Sequence, residues 1–406
     1  MKLAALILVV LVMLYNLFLE YLKTRSEHNP IPETVKDVYD AETYTKWKHY
    51  SAEKSRLSIV RVLVTGALSF VLLLTNAYAL IGNPIHNPYL SALAVLMFSQ
   101  VLSTVVEIPF NYRFTLHIEE KYGFNRSTVK TFWMDELKSF LIGLLPVLGL
   151  TCLFVLLHQK LGDWVLLLSG IILFLVILFI NFLSPVLMKI FNKFTPLEDG
   201  TLKTRLTELL EKHGYHVRAI QVMDASKRST KSNAYFTGLG KMKTIVLYDT
   251  LVNAFTEDEI CAVFAHEMGH GLHKDMLKRQ LLSILMIALL AVFLWLNVRT
   301  PAVSQSFGFA DTNYGFAIIL LLEVEMAVLS PLIGLLQSWV SCRAEYRADA
   351  QACAEGCGDA LIDALKKLNR ENLGDLSPSP LLVKLTYSHP TLDQRIRAIQ
   401  KESKKN

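Results

Sequence analysis

The chain has 406 residues, enough for two domains. Hydrophobic residues make up 52% of it and charged ones 19%, and the mean hydropathy is +0.36, which excludes an ordinary soluble enzyme and points to a membrane protein. The formal net charge of +5 carries no nucleic-acid signature, so no nucleic acid is expected among its partners.

Seven segments are long and apolar enough to span a bilayer: 3–22, 58–81, 89–110, 139–158, 164–187, 281–298 and 314–338. The first has only Lys2 ahead of it and no small-residue cleavage site behind it, which predicts an anchor and not a signal peptide. With all seven crossing, one side of the membrane receives every lysine and arginine of the 41 except Lys2, Arg61, Lys160 and Arg299. That asymmetry makes the rich side, with the C-terminus, cytoplasmic. The membrane would be that of the endoplasmic reticulum in a eukaryote and the inner or plasma membrane in a bacterium. The five cysteines are then expected as free thiols, and Asn125-Arg126-Ser127 as an unmodified sequon.

In chain order, residues 23–57 are polar, and the spacing of Tyr44, Trp47 and Tyr50 suits an amphipathic helix against the membrane or the protein. Gly82, Asn83, Pro84 and Pro88 mark a tight link between spans, and a short polar turn at about 159–163 marks another. The loop 111–138 carries Glu119-Lys121-Tyr122-Gly123-Phe124-Asn125-Arg126 in partly solvated form. Beyond residue 188 the character changes. Leu202–His213 reads as an amphipathic helix closed by Gly214, followed by three short strands at Ala219–Met223, Ser232–Gly238 and Lys243–Tyr248. The middle strand ends in Gly238 and Gly240 and either binds an extended peptide along a sheet edge or serves as packing support.

Thr256 and Glu259 form a capping box, so a helix runs from about 257 past 272. It contains His266, Glu267 and His270, an H-E-x-x-H pattern. At i and i+4 the imidazoles share one face and can reach one metal ion, and Glu267 stands close enough to take a proton from water at that ion. The flanks Ala262, Val263, Phe264, Ala265, Met268 and Leu272 are apolar or small, as in a buried helix, where two histidines and a glutamate are costly without a metal partner.

Spans six and seven then interrupt this region, and being two they return the chain to the side it left. Glu323 and Glu325 inside the seventh mark a hydrated cavity or a tilted, partly exposed helix end. Beyond it, Ser341–Ala350 suits a helix with Glu345 and Asp349 on one face. Glu345 would complete a His2Glu set, and Asp349 would accept the second ring N–H of a liganding histidine. The same pattern equally describes a surface helix in which Arg343, Glu345, Arg347 and Asp349 pair among themselves. In the tail, His389 follows a Pro-rich turn and reads as a turn residue or as a hydrogen-bond donor to a developing oxyanion.

The ordered set EKYGFNRST, FTPLEDG, SNAYFTG, HEMGH, EYRAD and SHPTLDQR resembles the integral-membrane zinc CAAX prenyl endopeptidases over nearly the whole chain. The resemblance implies a mainly α fold, seven transmembrane helices enclosing a water-filled chamber, with a zincin-like catalytic region carrying a small β-sheet. It divides the chain into an N-terminal membrane domain of five spans (1–190) and a zinc peptidase domain (191–406) interrupted by spans six and seven at about 281–298 and 314–338. It implies one zinc ion per chain on His266, His270 and Glu345, and Glu267 as catalytic base. His389 would stabilise the tetrahedral intermediate, and Asn233, Ala234, Tyr235 and Phe236, with Arg395, would meet the substrate. The implied reaction is removal of the C-terminal tripeptide from isoprenylated CAAX proteins or peptides, by water activated at the ion, at a bilayer. A membrane quality-control zinc protease acting on misfolded membrane proteins is the alternative. The chain departs from the family's frequent Pro-Pro after that histidine, with Thr391 after Pro390.

Overall fold

In a bilayer an apolar run can satisfy its backbone only within itself, and the apolar runs of this chain are all helical. The structure, a computed structural model, describes residues 1–237 and 242–405. Its first part is built of α1 (Lys2–Ser26), α2 (Ala41–Leu74), α3 (Ala77–Gly82), α4 (Pro88–Arg113), α5 (Val129–Leu161) and α6 (Val165–Phe191). Side-chain oxygens of Asp40, Asn87 and Thr128 accept backbone N–H groups and start α2, α4 and α5.

Next come β1 (Phe194–Pro196), α7 (Thr201–Lys212), β2 (His216–Met223), β3 (Ala234–Thr237), β4 (Met242–Tyr248), α8 (Asp249–Ala254) and α9 (Glu257–Leu272). The chain re-enters the apolar layer through α10 (Asp275–Arg299), turns through α11 (Pro301–Gln305), and returns through α12 (Tyr314–Ile319) and α13 (Met326–Ala354). It ends in α14 (Gly358–Glu371), α15 (Pro380–Thr386) and α16 (Leu392–Ser403).

Among the described residues six helical stretches are long and apolar enough to cross a membrane: Lys2–Ser26, Ala41–Leu74, Pro88–Glu119, Val129–Trp164, Leu277–Arg299 and Tyr314–Ala354. The remaining expected span, 164–187, coincides with the 27-residue α6, several of whose side chains lie outside the described set. Two helices run further than their spans. α2 carries Tyr44, Trp47 and Tyr50 on the same rod as the second span, and α13 carries 341–350 on the rod of the seventh. No glycine or proline interrupts 41–65 or 335–354, so nothing stops either helix at the membrane edge.

The sheet has the order β1-β2-β4-β3. The strand β1 and the first residues of β2 add to the three expected strands, and the glycine turn at Gly238 and Gly240 lies outside the described residues. β3 pairs antiparallel with β4, Ala234 opposite Leu247 and Phe236 opposite Ile245, and forms one edge of the sheet. Leu206, Leu210, Ile245, Leu247, Leu251, Ile260, Phe264 and Met268 bury this sheet against α7 and α9.

A second core draws on both ends of the chain. Val35, Val38, Trp47, Tyr50, Ile118, Tyr122 and Phe124 close on Leu373, Leu376, Leu392 and Ile396. The expected loop Glu119–Arg126 belongs to it and holds the segment that enters β3. Asn125 bridges Ser229, Thr230 N donates to Phe124 O at 3.1 Å, and Arg126 N donates to Arg228 O at 2.9 Å. Lys231 Nζ donates to Glu119 Oε2 at 2.8 Å, and Arg228 pairs in two-pronged fashion with Asp135 at 2.7 and 3.1 Å.

Within the apolar layer, a π-helical turn at Leu320–Glu325 carries Glu323 and Glu325. Glu323 accepts from Ser99 Oγ at 3.0 Å and Ser69 Oγ at 3.4 Å, and lines a cavity of about 300 Å³ with Asn16, Ser103 and Glu107. Glu325 accepts from Asn297 Nδ2 at 3.1 Å. Both carboxylates are met by polar groups of neighbouring helices, which gives the layer a polar interior.

Candidate metal centre

The helix α9 starts at a capping box: Thr256 Oγ1 accepts from Glu259 N at 3.3 Å, and Glu259 Oε2 accepts from Thr256 N at 2.8 Å. From that fixed start, His266 and His270 fall one turn apart on the buried face, their rings edge to face with centroids 4.8 Å apart. α13 lays Glu345 against them, Oε2 at 3.5 Å from His266 Nε2 and Oε1 at 3.3 Å from His270 Nε2. One donor atom from each of the three residues can be chosen so that all lie within 4.8 Å of one another.

This donor set fits a metal ion. Two ligands bonded at about 2.0–2.1 Å with a tetrahedral angle stand about 3.3–3.4 Å apart, close to the spacing seen. Glu345 Oε2 is buried and has no hydrogen bond, a costly state that a cation in reach of the three donors relieves. The outer ring nitrogens are engaged: Asp349 Oδ1 stands 2.9 Å from His266 Nδ1, and Asp275 Oδ2 stands 3.2 Å from His270 Nδ1. Each carboxylate asks for the hydrogen on Nδ1, which leaves the Nε2 lone pair free on the inner side.

Both carboxylates are themselves held. Arg395 donates from Nε to Asp349 Oδ2 at 3.0 Å and from Nη2 to Oδ1 at 2.6 Å. Arg347 and Lys278 donate to Asp275 Oδ1 at 2.5 and 3.3 Å, and that contact leaves its carboxyl below the ordinary range despite burial. The surface-helix pairing within 341–350 is therefore not formed. Glu345 and Asp349 point inward, Arg347 reaches Asp275, and Arg343 lies over Trp339.

A cleft of about 650 Å³ opens at the three donors, lined also by Glu267, Asn233, Ala234, Tyr235, Arg279 and His389. Burial holds the Glu267 carboxyl above the ordinary range, against the pull of His266 and His270. His389 Nε2 stands 3.4 Å from Glu345 Oε1, and its Nδ1 lies 2.8 Å from Ser388 Oγ. With Ser388 donating to Nδ1, Nε2 carries the hydrogen that faces the donors. Tyr235 brings a buried hydroxyl with no hydrogen bond to the same cleft. Phe236 continues the edge strand, its side chain outside the described set. Arg395, expected among the substrate-binding residues, lines the cleft, commits its Nε and Nη2 donors to Asp349 and places Nη1 3.6 Å from Glu345 Oε2.

Asp275 was not singled out by sequence. Its only signal is an acid in the first turn of α10, five residues after His270, where Lys274 takes a left-handed conformation with φ 53° and turns the chain back.

The approach of α13 to α9 rests on small residues. Ala344, Ala348 and Ala352 are buried against a helix carrying Ala262, Ala265 and Gly269. A Cβ on Gly269 would meet the Ala348 Cα at 2.9 Å and the Gln351 Cβ at 3.0 Å, both too close and neither at the end of a flexible chain. Gly269→Ala should therefore push α13 outward, costing about 1–3 kcal/mol of stability and moving Glu345 off the histidine pair. Thermal unfolding and metal content should fall together; a variant with full metal content would show that the helices can part without disturbing the donors.

Comparison with known proteins agrees with this geometry. Residues 20–193 match the family described as CAAX prenyl protease N-terminal, five membrane helices, and residues 196–403 match peptidase family M48. The CAAX prenyl protease 1 of Saccharomyces cerevisiae is 33% identical over 93% of this chain and 90% of its own. A probable CAAX prenyl protease 1 of Schizosaccharomyces pombe is 32% identical over 91% of this chain and 81% of its own. The crystal structure of S. mikatae Ste24p superposes with a TM-score of 0.91 at 30% identity, covering 98% of both chains. With two helices joining His266, His270 and Glu345 around one point, and with apolar helices on either side of them in the chain, this protein belongs to peptidase family M48 and is a multi-pass membrane metallopeptidase.

Proposed function

We propose that the chain is a zinc endopeptidase that removes the C-terminal tripeptide from isoprenylated CAAX polypeptides, with its catalytic face and C-terminus in the cytoplasm. The observation that carries the reading is the convergence of His266, His270 and Glu345 on one cleft that also receives the edge strand β3. Two imidazoles and a carboxylate are the donor set of catalytic zinc. When bound, the ion supplies Lewis acidity, acidifying a water and polarising a peptide carbonyl.

The chain's own residues supply the rest. Glu267, its carboxyl held above the ordinary range by burial, takes the proton of the attacking water and returns it to the leaving amine. His389 Nε2–H donates to the oxygen on which charge develops. The free edge of β3, with the Asn233, Ala234 and Tyr235 side of the cleft, aligns the peptide as an added strand, and Asp349 and Asp275 fix the tautomers of the histidines. The substrate class is supported by the relatives' activity, and the orientation by the placement of lysine and arginine.

The test offers the purified protein three substrates: a farnesylated CAAX peptide, the same peptide without the lipid, and an unfolded protein. Release of the tripeptide from the farnesylated peptide, faster than from the bare one, is expected. Degradation of the unfolded protein with no tripeptide release would replace this reading with a quality-control protease.

A further inference from the structure

We propose that Arg279 binds the free terminal carboxylate of the substrate and so sets the distance between the cut and the C-terminus. The inference rests on the tripeptide-releasing reading above and deepens it.

Cations around the metal centre nearly all have partners. Arg395 is spent on Asp349, and Arg347 and Lys278 on Asp275. Arg343 lies over the Trp339 ring at 4.0 Å. Arg279 differs. It lines the catalytic cleft and is exposed there, and among the described residues its side chain makes one hydrogen bond, from Nη2 to Ser341 Oγ at 2.9 Å. Among the described residues it has no carboxylate in ion-pair range. A guanidinium is a planar fork suited to a carboxylate, and one left with a single neutral acceptor in a cleft keeps donors free for a ligand.

Its position is given by two helices. On α13, Ser341 precedes the donor Glu345 by four residues, which is about 6 Å along the axis. On α10, Arg279 follows Asp275, the partner of His270, by the same four residues. The guanidinium therefore sits about one helical turn beyond the donors, on the side from which α13 leaves the membrane. An extended tripeptide reaches about 10 Å at 3.3 Å per residue. A carbonyl held at the donors thus places a carboxylate three residues later within the sweep of the Arg279 side chain. Gln280 and Ser283 line the cleft beside it and offer polar contacts to the peptide backbone.

An arginine at the start of a membrane span can also serve a lipid phosphate, and the experiment separates the two roles. Two farnesylated CAAX peptides are used, identical except that one ends in a carboxylate and the other in a carboxamide. The wild-type protein should prefer the acid by about 10- to 100-fold in kcat/KM, mostly in KM, as fits loss of one charge-assisted pair. Arg279→Gln should lose that preference, cleaving acid and amide at similar rates while its metal content stays unchanged. Arg279→Lys should restore part of it. In the inactive Glu267→Gln background, the released tripeptide should bind more weakly once Arg279→Gln is added, a readout that needs no turnover. A wild-type protein that cleaves acid and amide alike overturns this proposal alone, as does an Arg279→Gln variant that still discriminates or that loses both activities together. A wild-type protein that cleaves neither overturns the parent reading and this one with it.

Discussion

Replacing Glu267 by glutamine should leave metal content unchanged and lower kcat by about 10²–10⁴-fold, the range that general acid–base catalysis supplies. The amide keeps the size of the side chain and cannot accept the proton. Glu267 is not one of the three clustered donors, so the ion has no reason to leave with the charge. Folding should not suffer either, because burial already disfavours the charged form at this position. Elemental analysis and single-turnover cleavage of a farnesylated peptide decide the matter. A variant that turns over within tenfold of the parent would take Glu267 out of the proton path.

Glu345→Ala should do the opposite, emptying the site before it affects chemistry. Its carboxylate is the one acidic member of the three donors and faces both Nε2 atoms. Removing an outer partner such as Asp349, by Asp349→Asn, should cost about 10–100-fold in metal affinity. Removing Glu345 itself should cost more than that. Metal retained after dialysis against a graded chelator series measures both. If the two variants lose metal equally, Glu345 acts at a distance and the third donor is another group. The comparison also reports on Arg395, which keeps Asp349 in Glu345→Ala and in Asp349→Asn loses the charge of its partner and one of the two acceptor oxygens.

Much of the centre was legible before any coordinates. The spacing of His266 and His270 on a capped helix implies one shared face, since 3.6 residues per turn is a property of the backbone and not of the fold. The same periodicity puts Glu345 beside Asp349. The arithmetic of spans is equally local: two crossings between 272 and 341 return the chain to one side, whatever lies in between. What periodicity leaves open is which face meets which. The pattern in 341–350 describes a surface helix of mutual ion pairs as well as a buried ligand helix, and only packing separates them. The separation comes from Ala348 meeting Gly269 and Ala352 packing with Ala262 and Ala265, small residues that let two backbones close until carboxylates reach imidazoles.

Other parts depended wholly on distant contacts. Asp275 is an unremarked acid until His270 lies beside it, and the pairing of Arg395 with Asp349 shows only once α16 lies against α13. The motif running from Glu119 to Arg126 gives no hint that it binds the approach to β3, because its partners Arg228, Ser229, Thr230 and Lys231 are a hundred residues away. By itself the sequence determined the apolar spans, the paired imidazoles and the glutamate beside them, all consequences of short-range geometry and of what a bilayer tolerates. Tertiary structure decided which carboxylates serve which ring nitrogens and which arginine keeps donors free. Those depend on the approach of helices far apart in the chain, set by the volume of side chains that no local pattern pairs.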